Sequence, residues 1–181
     1  MNQQQAPNIE TAVLGGGCFW CTESVLQALR GVLDVTPGYC GGHVDNPSYE
    51  QVCGQGTGHV EVVRVRFDPA IIDFATVLKV FFATHDPTTV DRQGADVGPQ
   101  YASVIFYQSE AQKAVAHDVI AQIEAALDAS VVTKVLAAAR FWPAETVHHD
   151  YYARNPQQGY CQFVIAPKMS KLRKQFSTLL A

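Results

Sequence analysis

The chain has 181 residues, 48% of them hydrophobic and 17% charged, with a formal net charge of -4. That is the profile of a globular chain, and it excludes a basic face wide enough for nucleic acid. No stretch approaches the roughly 20 apolar residues of a membrane span, and the opening MNQQQAPNIE lacks the cationic start and apolar run of a secretory leader.

A cytoplasmic location is therefore expected, where thiols stay reduced. The 5 cysteines, an odd number at irregular spacing, then point to catalysis or metal binding rather than a disulfide framework.

In chain order, residues 1–8 are polar and read as a frayed end. TAVLG reads as a short buried strand running into Gly15, Gly16 and Gly17. CFWCTESVLQAL follows with Phe19, Glu23, Leu26 and Leu29 at helical intervals and Gly31 as the stop, which sets Cys18 at a helix start. Pro37 to Tyr49 reads as an irregular loop. HVEVVRVRF is a strand with Glu61, Val63, Val65 and Phe67 on one face and Val60, Val62, Arg64 and Arg66 on the other. A helix is predicted over about Asp73–Thr84, stopping before His85-Asp86-Pro87. Thr88 to Gln100 reads as a second loop and YASVIFY as a strand. Ser109 opens a helix with Gln112 in capping-box position. SVVTKVL reads as an edge strand and AETVHHDYYARN as a short helix. From about residue 155 the chain reads as a long irregular tail carrying Cys161 and ending in the basic, helix-compatible SKLRKQFSTLL. Alternating strands and helices predict one α/β (α+β) domain, a two-layer sandwich with at least one βαβ unit.

The candidate chemistry starts at Cys18. A helix N-terminus lowers a cysteine pKa from about 8.5, and its free N–H groups can hold developing negative charge. The glycines before it remove Cβ atoms where a substrate could approach. Phe19 and Trp20 are adjacent aromatics on a helix, so at least one faces away from the core and can wall a pocket. Glu61 shares a strand face with Val63, Val65 and Phe67. If that face is the core, desolvation would keep it protonated and fit to act as a general acid. At the strand's edge, or with the other face as the core, it is a solvated carboxylate, the reading that the strand alone favours. Tyr39, Tyr49, Asp86, Asp91, Asp96 and Tyr101 are loop groups suited to hydrogen-bonding a small polar ligand, although each alone is more readily read as a turn residue or surface group.

Cys18-x-x-Cys21 is half a zinc site, but Cys40 and Cys53 make no second close pair, and no metal is expected. His148-His149-Asp150 reads as a solvated helix face. Cys161, on the tail, could reach a distant sulfur as a resolving cysteine does. The residues by themselves leave open thioredoxin-like exchange through Cys18 and Cys21, a hydrolase pairing Cys18 with His59 or His85, and a zinc module.

GGGCFWC, GYCGG, NPSYEQVCGQGTGHVEVV, FDP, HDPTTVDRQGADVGPQYAS and NPQQGYC, in this order over roughly residues 10–165, closely resemble the A-type peptide-methionine sulfoxide reductases. The resemblance implies a ferredoxin-like α/β core with an irregular C-terminal tail. It implies Cys18 as the nucleophile on the sulfoxide sulfur and Glu61 as the acid on its oxygen. Tyr49 and Tyr101 would assist through hydrogen bonds, Asp96 would be a further polar site residue, and Phe19 and Trp20 would hold the S-methyl group. Cys161 would resolve the Cys18 sulfenic acid as a Cys18–Cys161 disulfide. Also implied are S-epimer selectivity, protein-bound and free methionine sulfoxide as substrates, thioredoxin as reductant, repair of oxidised proteins, and no cofactor. A monomer is expected, with no nucleic-acid or membrane partner. The chain departs from the family pattern at Cys21, where a small residue such as glycine is usual, which makes Cys21 the lesser candidate for the resolving role.

Overall fold

The computed structural model describes residues 8–181, so most of the expected frayed end, residues 1–7, lies outside the described residues. Strand β1, Glu10–Gly16, leads into helix α1, Phe19–Gln27, and back along β2, Val32–Cys40. Strand β3, Val60–Phe67, inserts between β1 and β2, antiparallel to both. Helix α3, Phe74–Ala83, crosses to the other side of β1 and delivers β6, Ser103–Tyr107. The central order is therefore β6-β1-β3-β2, two interleaved β-α-β units of the ferredoxin-like kind.

Helix α4, Glu110–Leu127, then returns the chain to β7, Lys134–Ala137, which adds parallel to β6 as the edge strand the sequence predicts. Strand β8, Phe141–Pro143, closes the opposite edge against β2. No helix among the described residues is long and apolar enough to cross a membrane.

The strand alternation is realised in β3: Glu61, Val63, Val65 and Phe67 are all buried, whereas Arg66 is exposed. That face packs with Leu14 of β1 and with α1 and α3 in the main core, and side chains such as Leu26, Leu78 and Phe81 fill the second layer. A smaller cluster of Val13, Cys40, Val62, Val104 and Phe106 forms on the other face. The starts of α3 and α4 carry side-chain caps, the box expected at Ser109 being half formed because the Gln112 side chain accepts from the Gln108 N–H instead of from that of the N-cap. The Asp73 carboxylate accepts from the Thr76 N–H at 2.8 Å, and the Ser109 hydroxyl accepts from the Gln112 N–H at 3.1 Å.

Three local expectations are corrected. The stretch read as loop from Pro37 begins inside strand β2, which runs through the proline. Pro37 cannot donate to a ladder, but its carbonyl still accepts from the Ala144 N–H at 2.9 Å, and β8 pairs only from Gly38 onward. The loop's far end is also ordered: Ser48 and Gln51 form a capping box that starts the short helix α2, Tyr49–Cys53. Second, the predicted helix over 144–155 is broken. A 3-10 turn, Thr146–His148, is separated from α5, Tyr151–Arg154, by Asp150 at φ 53°.

The third correction is the tail, which is helical rather than irregular. A π-helical turn, Cys161–Ile165, runs into α6, Ala166–Gln175. Cys161, Ile165 and Leu172 are buried at spacings of one and two helical turns, so a thin apolar stripe docks the helix. Pro167 lacks an N–H to return to the preceding turn, which fits a widened turn at this place. The end of the chain is pinned to α1 by the Ala181 N–H on the Ala28 carbonyl at 2.9 Å.

Candidate active site

The opening glycines serve packing rather than substrate approach. A Cβ on Gly16 would lie 2.8 Å from the Phe81 ring, and one on Gly17, at φ +93°, 2.5 Å from the Gln93 side chain. The Gln93 amide is in turn bonded to both the N–H and the carbonyl of Asp86. The chain therefore turns tightly from β1 into α1 against its own side chains, and Cys18 emerges as the N-cap. A two-residue-stranded hairpin, β4 Arg92–Gln93 and β5 Asp96–Val97, forms within the second loop and carries Asp96 beside this turn.

Glu61 approaches from the sheet. It is 1% exposed, and its Oε1 accepts the first helical N–H, that of Phe19, at 3.2 Å. Its Oε2 is buried with no partner. Burial pushes its pKa up to about 8, with the charges of Asp96 and Cys21 adding and the Phe19 N–H opposing. The carboxyl is protonated at neutrality.

Cys18 corrects the expectation of a lowered pKa. Burial first, then a hydrogen bond with Cys21 and the Glu61 charge, push its thiol well above the ordinary cysteine value. The Trp20 N–H pulls the other way and does not win. Part of the helix-start field is already spent on Glu61, which takes the Phe19 N–H. At Cys21 the balance reverses: the Cys18 thiol, Lys168 and the Tyr160 hydroxyl bring it down to about 7 despite burial.

The two aromatics divide their work. Phe19 is fully buried, with its ring centroid 5.7 Å from Tyr39, 6.4 Å from Tyr49 and 5.3 Å from His148. Trp20 is half-buried, packed against both the main core and the sulfur cluster and stacked on Tyr151 at 3.7 Å and 5°. Its indole N–H donates to His148 Nδ1 at 3.1 Å.

Tyr49 and Tyr101 are half-buried, and burial together with the nearby Glu61 holds both hydroxyls protonated, so both can donate. Tyr39 is turned away to Glu145, its hydroxyl donating to Oε1 at 3.0 Å. Asp86 accepts from the Thr88 N–H at 2.9 Å as a turn residue. The Asp91 carbonyl accepts from the Gly98 N–H at 2.9 Å, closing the hairpin loop.

The tail completes the site. Cys18, Cys21, Cys161 and Ile165 form one buried cluster. The Tyr160 hydroxyl donates to Asp96 Oδ2 at 2.6 Å and lies 3.6 Å from Cys21 Sγ. A cleft of about 370 Å³ opens here, with Cys18, Cys21, Gln93, Asp96, Tyr160 and Lys168 on its wall.

Neither histidine of the hydrolase alternative faces Cys18. His85 is tied to the Phe81 carbonyl and the Ser103 hydroxyl, and burial brings its pKa down to about 4. His59 bonds the Gly42 N–H and the Val44 carbonyl. Among the described residues, no three His, Cys, Asp or Glu side chains gather as a metal-binding group.

A cysteine next to a buried protonated carboxyl and a second sulfur source is a site for oxygen transfer to sulfur. The family model described as peptide methionine sulfoxide reductase matches residues 10–180. The chain belongs to the peptide methionine sulfoxide reductase family. The peptide methionine sulfoxide reductase MsrA of Chromobacterium violaceum is 59% identical over 174 residues, 95% of this chain and 99% of that one. The crystal structure of Mxr1 from Saccharomyces cerevisiae in reduced form superposes with a TM-score of 0.78 at 29% identity, covering 89% of this chain and 95% of that one. Mxr1 in complex with Trx2 shares the fold, with a TM-score of 0.54 at 19% identity. The reaction of the reductase family is the return of methionine sulfoxide to methionine.

Sequence reasoning missed four residues that this reductase places at the site. Tyr160 and Lys168 lie on the tail helix. His148 is buried among Phe19, Trp20 and Tyr49 rather than solvated. Glu23 is buried, and its Oε1 accepts from the Asp150 N–H at 2.5 Å, fixing the segment that carries His148 and Tyr151. The signals were present: Tyr160 adjoins Cys161, and a glutamate stands in the apolar stripe of α1. Cys40 is inert by comparison, its thiol pushed by burial to about 11 on the far face of the sheet.

Proposed function

We propose that this chain, as a single catalytic domain over residues 1–181, reduces the S epimer of methionine sulfoxide, free and in proteins. The observation that carries the reading is the meeting of Cys18 with a protonated, half-unpartnered Glu61 at the start of α1. A sulfoxide sulfur is a poor electrophile until its oxygen is protonated. Glu61 Oε2 supplies that proton, and the Tyr49 and Tyr101 hydroxyls donate hydrogen bonds to the same oxygen.

The Cys18 sulfur attacks the sulfoxide sulfur, and the thiol proton passes to the Glu61 carboxylate left behind. The attack forms a transient bond between the two sulfurs. The protonated oxygen then moves to Cys18 Sγ, a new S–O bond forming there as the substrate S–O bond and the transient S–S bond break, so that methionine leaves and Cys18 is left as a sulfenic acid. One oxygen atom moves, the substrate sulfur is reduced by two electrons, and Cys18 is oxidised by two. Trp20, backed by Phe19, holds the S-methyl group, and Asp96 holds the polar end of the residue. Cys161 is the resolving thiol: the bond it forms with Cys18 is the disulfide handed to thioredoxin, which returns both thiols. No cofactor enters. The setting is cytoplasmic, the working unit is a monomer, and the role is repair of oxidised proteins.

The test is a single turnover. Reduced protein mixed with L-methionine-(S)-sulfoxide and no reductant is expected to release one methionine and lose two thiols per chain, and to leave the R epimer untouched. Absence of methionine contradicts the reading.

A further inference from the structure

Cys21 has no part in the scheme above, and the fold nevertheless sets it at the centre of the sulfur cluster. It follows Cys18 by one helical turn, with its N–H on the Cys18 carbonyl at 3.1 Å. Cys18, Cys21 and Cys161 are all buried, packed together with Ile165. Cys21 therefore shares one buried cluster with the two sulfurs that must be joined. The Tyr160 hydroxyl, fixed by Asp96, is 3.6 Å from Cys21 Sγ and belongs to the residue next to Cys161.

We propose that Cys21 is the first thiol to condense with the Cys18 sulfenic acid, and that Cys161 resolves the bond so formed. The proposal rests on the reductase reading and adds a step to it. In that step the Cys21 sulfur attacks Cys18 Sγ, an S–S bond forms, the S–O bond breaks, and the hydroxide takes up the thiol proton and leaves as water. Cys161 then attacks Cys18 Sγ, the Cys18–Cys161 bond forms, and Cys21 leaves as a thiolate. This exchange transfers no net electrons.

Three features favour the order. Cys21, brought down to about 7, is partly thiolate at neutral pH, whereas burial pushes Cys161 up. In the second step the thiol of lower pKa is the better leaving group, so exchange expels Cys21 and retains Cys18. Closure is also geometrically open. Cβ atoms three residues apart on a helix are roughly 5–6 Å apart, and a disulfide needs roughly 3.5–4.5 Å. Cys18 is the N-cap, at φ -54° and ψ 124°, outside the helical dihedral range, so its side-chain direction is not the one that a helical residue at this place would have.

The experiment is a trap. Cys161→Ser, Cys21→Ser and the double variant are each reduced, mixed with L-methionine-(S)-sulfoxide without reductant, and sampled with dimedone before peptide mapping. Cys161→Ser is expected to release one methionine per chain and accumulate a Cys18–Cys21 disulfide without a dimedone adduct. The double variant is expected to keep a dimedone-reactive Cys18. In Cys21→Ser the sulfenic acid is expected to persist at least tenfold longer than in the wild type before Cys18–Cys161 appears. A dimedone adduct on Cys18 with a free Cys21 in Cys161→Ser would overturn the proposal, as would wild-type sulfenic acid decay in Cys21→Ser. Failure of the underlying reductase reading is distinguishable, because no variant would then release methionine.

Discussion

Cys18 stands between two unlike halves of the molecule. On the sheet side, Glu61 is held by a strand with neighbours on both sides, and its one hydrogen bond goes to a helix N–H. On the tail side, Cys161 and Tyr160 are held by a helix that docks through a thin stripe and by a tyrosine hydroxyl on Asp96. The difference is one of rigidity matched to task. In the proposed reaction the acid meets an oxygen at one place, and strand register fixes the face on which its side chain lies. In that same reaction the second thiol joins Cys18 after methionine has gone and later meets a reductant. A helix held by a few apolar residues can do that at small cost.

This contrast breaks first at Glu61. Glu61→Gln keeps the shape and removes the proton, and methionine release in a single turnover is expected to slow by about 10²–10⁴-fold. The same variant separates chemistry from folding. The folded chain holds the Glu61 proton up to about 8, while the unfolded chain releases it near the ordinary glutamate value of 4.5. Between those values the folded state binds more protons, so wild-type stability declines as pH rises through that window. Thermal melts are expected to place Glu61→Gln above wild type at pH 8.5 and level with it at pH 4.5. An inactive variant with no such divergence would mean that Glu61 is not buried as an acid.

The tail side is expected to respond less and differently. Leu172→Ala removes a buried anchor of α6, at a cost of roughly 2–5 kcal/mol in chemical denaturation. In a single turnover, disulfide formation is expected to slow several-fold, while methionine release keeps its wild-type rate. Equal slowing of both steps would show that the tail helix also shapes the acid side and would erase the contrast.

The two halves were unequally legible in the sequence. Period-two alternation in HVEVVRVRF put Glu61 on one face with Val63, Val65 and Phe67, but left open which face is the core and whether Glu61 lies at the strand's wet edge, until the fold buried it. The tail carried a helical period as well, in Cys161, Ile165 and Leu172. The basic residues from Lys168 to Lys174 dilute it, and Pro167 interrupts it, so that it read as irregular. Strand β2 was hidden by Pro37, whose carbonyl-only pairing is visible only once β8 is in place. Gly16 and Gly17 were read for a ligand, but the close neighbours are Phe81 and Gln93, which local sequence cannot place. His148 looked like a surface residue because its burial comes from Phe19, Trp20 and Tyr49, about 100 or more positions away. The lowered pKa expected of Cys18 depended on a helix end in water. In the fold the end is buried, and desolvation outweighs the helix field.

The central claim is that Glu61 carries a proton at neutral pH, ready for the sulfoxide oxygen. Infrared difference spectra of wild type minus Glu61→Gln test it directly, since Glu23, the other buried glutamate pushed up to about 7, cancels between them. A protonated-carboxyl C=O band is expected at pH 7, disappearing as the pH is raised through about 8. A spectrum with no such band at pH 7, and one that titrates away with ordinary carboxylates near pH 4–5, would contradict the account.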